Sequence, residues 1–241
     1  MVEILNARHV TARFPGRRGG PGVCAPRDFS LSVQAGEILG LAGASGCGKS
    51  AFAAALLGLL ERPGCVVSGV AVFRPKNGPP VDLLALAERE LEALRGREIG
   101  MVFQDPVSSL HPSRKIRTQF AETLRGQNPA LSGGERREIA REALGRMMFA
   151  EPDKILASYP FELSGGMCQR VSIALSLVLQ PRLLIADEPT TALDVKNQAQ
   201  VLRLIRETRD RTGMAVVLIS HDIGVISAAA DRAIQMQAPS P

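Results

Sequence analysis

The feature that most constrains the fold is the run Gly43-Ala44-Ser45-Gly46-Cys47-Gly48-Lys49-Ser50, which fits GxxxxGK[ST]. It follows ILGLA at 38–42, an apolar run of strand length bounded by Gly36 and Gly43. It precedes an alanine- and leucine-rich stretch, Lys49 to Leu60, that reads as a helix. In the order strand, glycine turn, helix, the loop from Gly43 through Ser45, Gly46, Cys47 and Gly48 turns successive N–H groups inward. They meet at the positive end of the helix, a site for a polyphosphate. Lys49 then serves the β- and γ-phosphates as a mobile charge, and the Ser50 hydroxyl is a ligand for Mg²⁺.

A second apolar strand, Leu183 to Ala186, delivers Asp187 and Glu188 at its carboxyl end. Open parallel sheets bind their ligands at that edge. Asp187 is the expected Mg²⁺-shell residue and Glu188 the group that polarises the attacking water. A third buried strand, Ala215 to Ile219, precedes His221. Helical patterns over Cys168 to Leu179 and Asn197 to Arg209 alternate with these strands, which predicts a parallel sheet covered on both faces. Charge-rich helical stretches at Glu88–Arg95 and Glu135–Met148 predict an inserted helical subdomain. Val10 to Val33, broken by the arginine/glycine run 17–22, reads as irregular antiparallel strand pairs. Past Gln237 the prolines predict a frayed end.

At 241 residues, with 45% hydrophobic and 22% charged positions, the chain has the makeup of a soluble globular fold. The most apolar helix candidate, Ala51 to Leu60, is half of the ~20 residues a membrane span needs. No secretory signal is expected from residues 1–6. The net charge of +5 is scattered, so no nucleic-acid partner is expected. Cysteines at 24, 47, 65 and 168 form no CxxC pair, which predicts neither a zinc site nor a disulfide framework.

The set as a whole resembles the nucleotide-binding subunit of an ABC transporter, over nearly the whole chain. That resemblance implies a P-loop NTPase (RecA-like) core in 1–104 and 171–241, carrying an antiparallel β subdomain, and a helical subdomain in 105–170. Leu163-Ser164-Gly165-Gly166-Met167-Cys168-Gln169-Arg170 is similar to the family signature. Ser164, Gly165, Gly166 and Gln169 are thereby implied to serve ATP held by a partner subunit. Gln104 resembles the glutamine that contacts Mg²⁺ and senses the membrane subunit, Asp194 the D-loop aspartate, and His221 the histidine that contacts the γ-phosphate. Phe14 is implied as the adenine-stacking aromatic and Thr190 as a further nucleotide contact.

Phe103-Gln104-Asp105-Pro106, Ser108-Ser109-Leu110-His111-Pro112 and Tyr159-Pro160-Phe161-Glu162 resemble the oligopeptide, dipeptide and nickel importer group. The group implies a second ATPase subunit, permease subunits contacted by about 108–123, indirectly a substrate-binding protein, and a place on the cytoplasmic face of the plasma membrane. The cargo could be a peptide, nickel or a metal–chelator complex. Alternatives are a soluble ABC ATPase unconnected with transport and a truncated regulatory paralogue that binds ATP without turnover.

LSGG occurs twice, at 131–134 and 163–166. Ser164 precedes Asp187 by one helix, one turn and one strand. Ser132 is too far upstream for that unit, and with Glu135 three residues on it reads as a capping box. The first copy is therefore assigned to helix capping. Cys47, at a helix N-terminus, is expected to have a lowered thiol pKa and to react with thiol reagents unless ATP protects it. It equally suits a small turn-filling residue.

Overall fold

The computed structural model describes residues 2–15, 22–60 and 64–237. Ten strands and eight α-helices are assigned among them: β1 (Glu3–Phe14), β2 (Val23–Cys24), β3 (Phe29–Gln34), β4 (Ile38–Ala42), α1 (Lys49–Leu56), β5 (Cys65–Phe73), β6 (Val81–Asp82), α2 (Glu88–Leu94), β7 (Ile99–Val102), α3 (Ile116–Gln127), α4 (Gly133–Arg146), α5 (Pro152–Ala157), α6 (Gly165–Val178), β8 (Leu183–Asp187), α7 (Val195–Thr212), β9 (Ala215–Ile219), α8 (Ile223–Ala229) and β10 (Arg232–Gln235).

Strands β10-β4-β9-β8-β7 form a wholly parallel sheet. Their near-continuous apolar sequences follow from burial on both faces. Alternate residues divide cleanly between two cores. Leu39, Leu41, Leu183, Ile185, Val217 and Ile219 pack with α1 and the antiparallel strands. Leu184, Ala186, Val216 and Leu218 pack with α3 to α8. The antiparallel layer is centred on β1, which pairs with β2, β3 and β5.

Several boundaries differ from the sequence reading for local reasons. Helix α1 ends at Leu56, where Gly58 takes a left-handed φ of 63°. Helices α4 and α6 begin earlier than their patterns suggest, because Ser132 and Ser164 cap them and the following Gly-Gly pairs form the first turn. The expected subdomain boundary at 170 falls inside α6, whose Cys168, Val171, Ala174 and Leu177 share one core with the sheet. Strand pairing starts at Glu3 rather than Val10. Residues 16–21 of the arginine/glycine run and 238–241 of the expected frayed end lie outside the described residues.

Candidate functional site

Four parallel strands end at one edge, and each hands a site residue to the loop that follows: β4 leads to Gly43, β7 to Gln104, β8 to Asp187 and Glu188, and β9 to His221. In the P-loop, Gly46 has φ 79° and Gly48 φ 107°, the left-handed backbone that curls the loop over the start of α1. Gly48 is the N-cap and offers no side chain to the first-turn N–H groups, which leaves them for a ligand. Lys49 is buried. Its Nζ donates to the Gly43 carbonyl at 2.7 Å and the Ala44 carbonyl at 3.0 Å, so the ammonium is held inside the loop.

Asp187 is 3% exposed. Burial pushes its carboxyl pKa up, with the Ser50 hydroxyl opposing, the Glu188 charge adding, and the Lys49 ammonium opposing. Its Oδ1 is buried with no hydrogen-bond partner among the described residues. A lone carboxylate oxygen in the neighbourhood of the exposed Ser50 hydroxyl is a hard-oxygen donor set of the kind Mg²⁺ takes, so these residues fit the ion. Gln104, the third oxygen donor expected there, is exposed two residues past β7.

Glu188 is the most constrained residue of the site. Its φ is 49°, an uncommon value for a non-glycine residue and one that costs on the order of 1–3 kcal/mol. Surrounding bonds hold it there. Its N–H donates to the Ile219 carbonyl at 3.0 Å. Oε1 accepts from the His221 N–H at 2.9 Å and faces His221 Nδ1 at 2.7 Å. Oε2 accepts from Thr191 Oγ1 at 3.1 Å and Ser220 Oγ at 3.4 Å. A carboxylate only accepts, so Nδ1 carries the ring proton and the imidazole orientation is set. Thr191 opens the stretch Thr191–Asp194 that resembles the D-loop, and Ser220 carries no motif signal; each is a hydroxyl close in the chain to Glu188 or His221.

Burial bears on two of the expected contacts. Thr190 is 5% exposed and its carbonyl accepts from Leu193, while the hydroxyl bonded to Glu188 is that of Thr191. Gln169 is completely buried on the inner face of α6 and offers nothing to a partner subunit. The surface stretch is Ser164 to Gly166. Ser164 caps α6 by accepting from Met167 N–H at 3.3 Å, and a Cβ on Gly166 would lie 3.0 Å from the Ala192 carbonyl. Asp194 caps α7, and bonds from Asn197 hold its carboxyl below the usual carboxylate range. Phe14 is half-buried at the end of β1, opposite Val23. Cys47 is 1% exposed among the core side chains, which fits the turn-filling reading and not that of a reactive thiol.

Ser132 does form the expected capping box. Its Oγ accepts from Glu135 N–H at 3.2 Å, and Glu135 Oε2 accepts from Ser132 N–H at 2.7 Å. The first LSGG thus places its own carboxylate at the helix N-terminus, where the second has only Met167.

A glycine loop on a helix N-terminus, an acidic strand end and a histidine-restrained glutamate define a P-loop ATPase. The chain belongs to the ABC transporter family, whose sequence model matches residues 26–191. It is 42% identical over 236 residues to a probable peptide ABC transporter ATP-binding protein of Sinorhizobium fredii, covering 98% of this chain and 68% of that one. A putative peptide import ATP-binding protein of Brucella melitensis is 42% identical over 240 residues, 100% of this chain and 70% of the relative. The glutathione import ATP-binding protein GsiA of Pectobacterium atrosepticum is 40% identical over 235 residues, 97% of this chain but 37% of the relative. The fold matches the dimeric post-hydrolysis state of the ATP-binding cassette MJ0796 bound to ADP and Pi. That match has a TM-score of 0.85 and 28% identity, over 98% of this chain and 97% of that chain.

Proposed function

We propose that the chain is the ATP-hydrolysing subunit of an importer whose cargo is a peptide, working against a second ATPase subunit and beneath permease subunits. The observation that supports this most directly is the Glu188–His221 pair at the sheet edge that also carries the P-loop. Relatives named for peptide and glutathione import supply the cargo class. Nickel or a metal–chelator complex stays the alternative cargo.

In this reading ATP lies along Gly43–Ser50 with its phosphates on the N–H groups of α1. Phe14 stacks on the adenine. Glu188 takes the proton of the attacking water, in line with the bond to the γ-phosphate, and His221 contacts the γ-phosphate while its Nδ1–H stays on the carboxylate. Ser50, Asp187 and Gln104 would hold Mg²⁺, whose charge neutralises the phosphate oxygens when bound. The partner's nucleotide is met by Ser164 to Gly166 of this chain, and a heterodimer of two ATPases completes both sites. The dimeric state of the MJ0796 cassette supports a two-subunit arrangement.

Among the described residues no helix is long and apolar enough to cross a membrane. The permease surface is proposed to be the cavity of about 460 Å³ lined by Phe103, Leu110, His111, Arg114, Gln119 and Thr123, which overlaps the segment expected from sequence. In this reading the chain sits peripherally on the cytoplasmic face of the membrane, with the substrate-binding protein an indirect partner. The test is ATP hydrolysis by the purified chain, alone and co-expressed with its neighbouring ATPase and permease subunits, with Glu188→Gln as control. Hydrolysis that rises in the assembly and vanishes in the control supports the reading. ATP binding without hydrolysis in every assembly would point instead to a regulatory cassette.

A further inference from the structure

One buried group has no role in the scheme above. Gln169 is 0% exposed, and both its Nε2 and Oε1 lack a hydrogen-bond partner among the described residues. Buried amides are nearly always paired, and an apolar side chain of the same length would fill the space without that penalty.

The bearing of Gln169 on α6 is fixed by its neighbours. Gly166 abuts the Ala192 carbonyl and the Leu193 side chain, in the turn that follows Glu188. Ser172 Oγ is 3.1 Å from Ser109 Oγ, in the loop that follows Gln104, and Ser176 Oγ donates to the Met101 carbonyl of β7 at 2.8 Å. At about 100° per residue, Gln169 falls between these two faces and one helical turn in from the exposed Ser164–Gly166 end. That bearing lies between the contact of α6 with the Gln104–Ser109 loop and its contact with the Glu188–Asp194 turn. Both segments flank the proposed reaction centre.

We propose that Gln169 is a positioning residue for ATP hydrolysis: its amide bonds the backbone of these two loops in the nucleotide-engaged state and registers them against α6. This inference rests on the ATPase reading above. It accounts for a polar amide buried where the described residues leave both of its polar atoms unpaired.

The test compares Gln169→Met and Gln169→Glu with the wild-type assembly in thermal melting, binding of a fluorescent ATP analogue, and kcat and KM for ATP. Hydrolysis by the wild-type assembly is the check on the underlying reading, so failure there is separate from failure here. Met keeps the length and removes the unpaired amide. It should melt at or above the wild-type temperature and bind nucleotide equally, with kcat down about tenfold or more and KM unchanged. Glu keeps the shape and the acceptors and should retain more turnover than Met. A Gln169→Met variant with wild-type kcat overturns the proposal. So does one whose lost turnover returns on cooling in step with recovered folding, since that marks a merely structural residue. If the Met variant does not fold, the Glu variant decides: equal kcat with the wild type overturns the proposal, and a kcat loss at unchanged KM and melting temperature supports it.

Discussion

Two glycines of the P-loop separate backbone strain from steric exclusion. Gly46 and Gly48 both have left-handed φ, 79° and 107°. A Cβ on Gly46 would meet nothing within 4 Å, whereas on Gly48 it would lie 2.7 Å from Pro26 N and 2.8 Å from the Ala25 carbonyl carbon. Those are backbone atoms, which cannot swing aside as a side-chain tip does. Gly46→Ala therefore incurs only the left-handed penalty, roughly 1–2 kcal/mol. Gly48→Ala adds overpacking of roughly 1–3 kcal/mol, about 2–5 kcal/mol in all. For a chain of this length 1 kcal/mol shifts Tm by roughly 2–4 °C, so Gly46→Ala should melt about 2–8 °C lower and Gly48→Ala about 4–20 °C lower. Calorimetry with parallel urea titration measures both, and the two variants should keep the same m-value. Nucleotide affinity should fall further for Gly48→Ala, because relief of the clash moves the loop off Ala25-Pro26. Equal Tm losses, or a larger loss at Gly46, would refute the reasoning, since the difference rests wholly on those two close approaches.

Glu188→Gln keeps the shape that His221, Thr191 and Ser220 hold but removes the base, so phosphate release should fall about 10²–10⁴-fold with ATP binding retained. A loss under tenfold would put the base elsewhere. Cys65 is exposed and Cys47 and Cys168 are buried, so under native conditions iodoacetamide followed by mass spectrometry should find Cys65 labelled well before the other two. Cys47 labelled as fast as Cys65 would restore the reactive-thiol reading. Ser132→Ala should cost about 1 kcal/mol of cap stability and leave hydrolysis unchanged. The Ser132 hydroxyl and N–H hold the Glu135 carboxyl below its ordinary pKa. That contribution is present above the unfolded carboxylate value and is lost as pH falls through the lowered folded value. The Tm gap between wild type and Glu135→Gln should accordingly exist at pH 7 and close under strong acid, and a gap that widens in acid would contradict this.

The sheet was legible because its strands are buried on both faces, which makes ILGLA and AVVLI uninterrupted apolar runs in a chain that otherwise alternates. The edge positions of Gly43, Asp187, Glu188 and His221 were legible for the same reason, since each follows such a run, whereas Gln104 was read from the family resemblance alone. Side-chain direction was harder to read. Thr190 and Thr191 are adjacent hydroxyls after one strand, and it is in the turn that begins with the left-handed Glu188 that Thr191 comes back onto the carboxylate. Gln169 lies five residues past an exposed serine, and the register of α6 turns it into the core.

The repeated LSGG shows where local sequence suffices and where it does not. Both copies fold into the same local object, a serine-capped helix whose first turn is Gly-Gly, so the motif alone does not separate them. They differ at the third helical position. Glu135 returns its carboxylate to the Ser132 N–H, so the negative charge that the helix N-terminus favours is supplied from within the chain. Met167 supplies none, and the N-terminus of α6 is left for a charge from elsewhere. Packing adds a second difference. Gly166 lies against the turn after Glu188, where a Cβ would crowd the Ala192 carbonyl, whereas a Cβ on Gly134 would find only the Ser132 hydroxyl, at 3.9 Å. The proposed contact with a partner's phosphate needs a helix end that no carboxylate of its own chain already neutralises, and of the two copies only the second offers one.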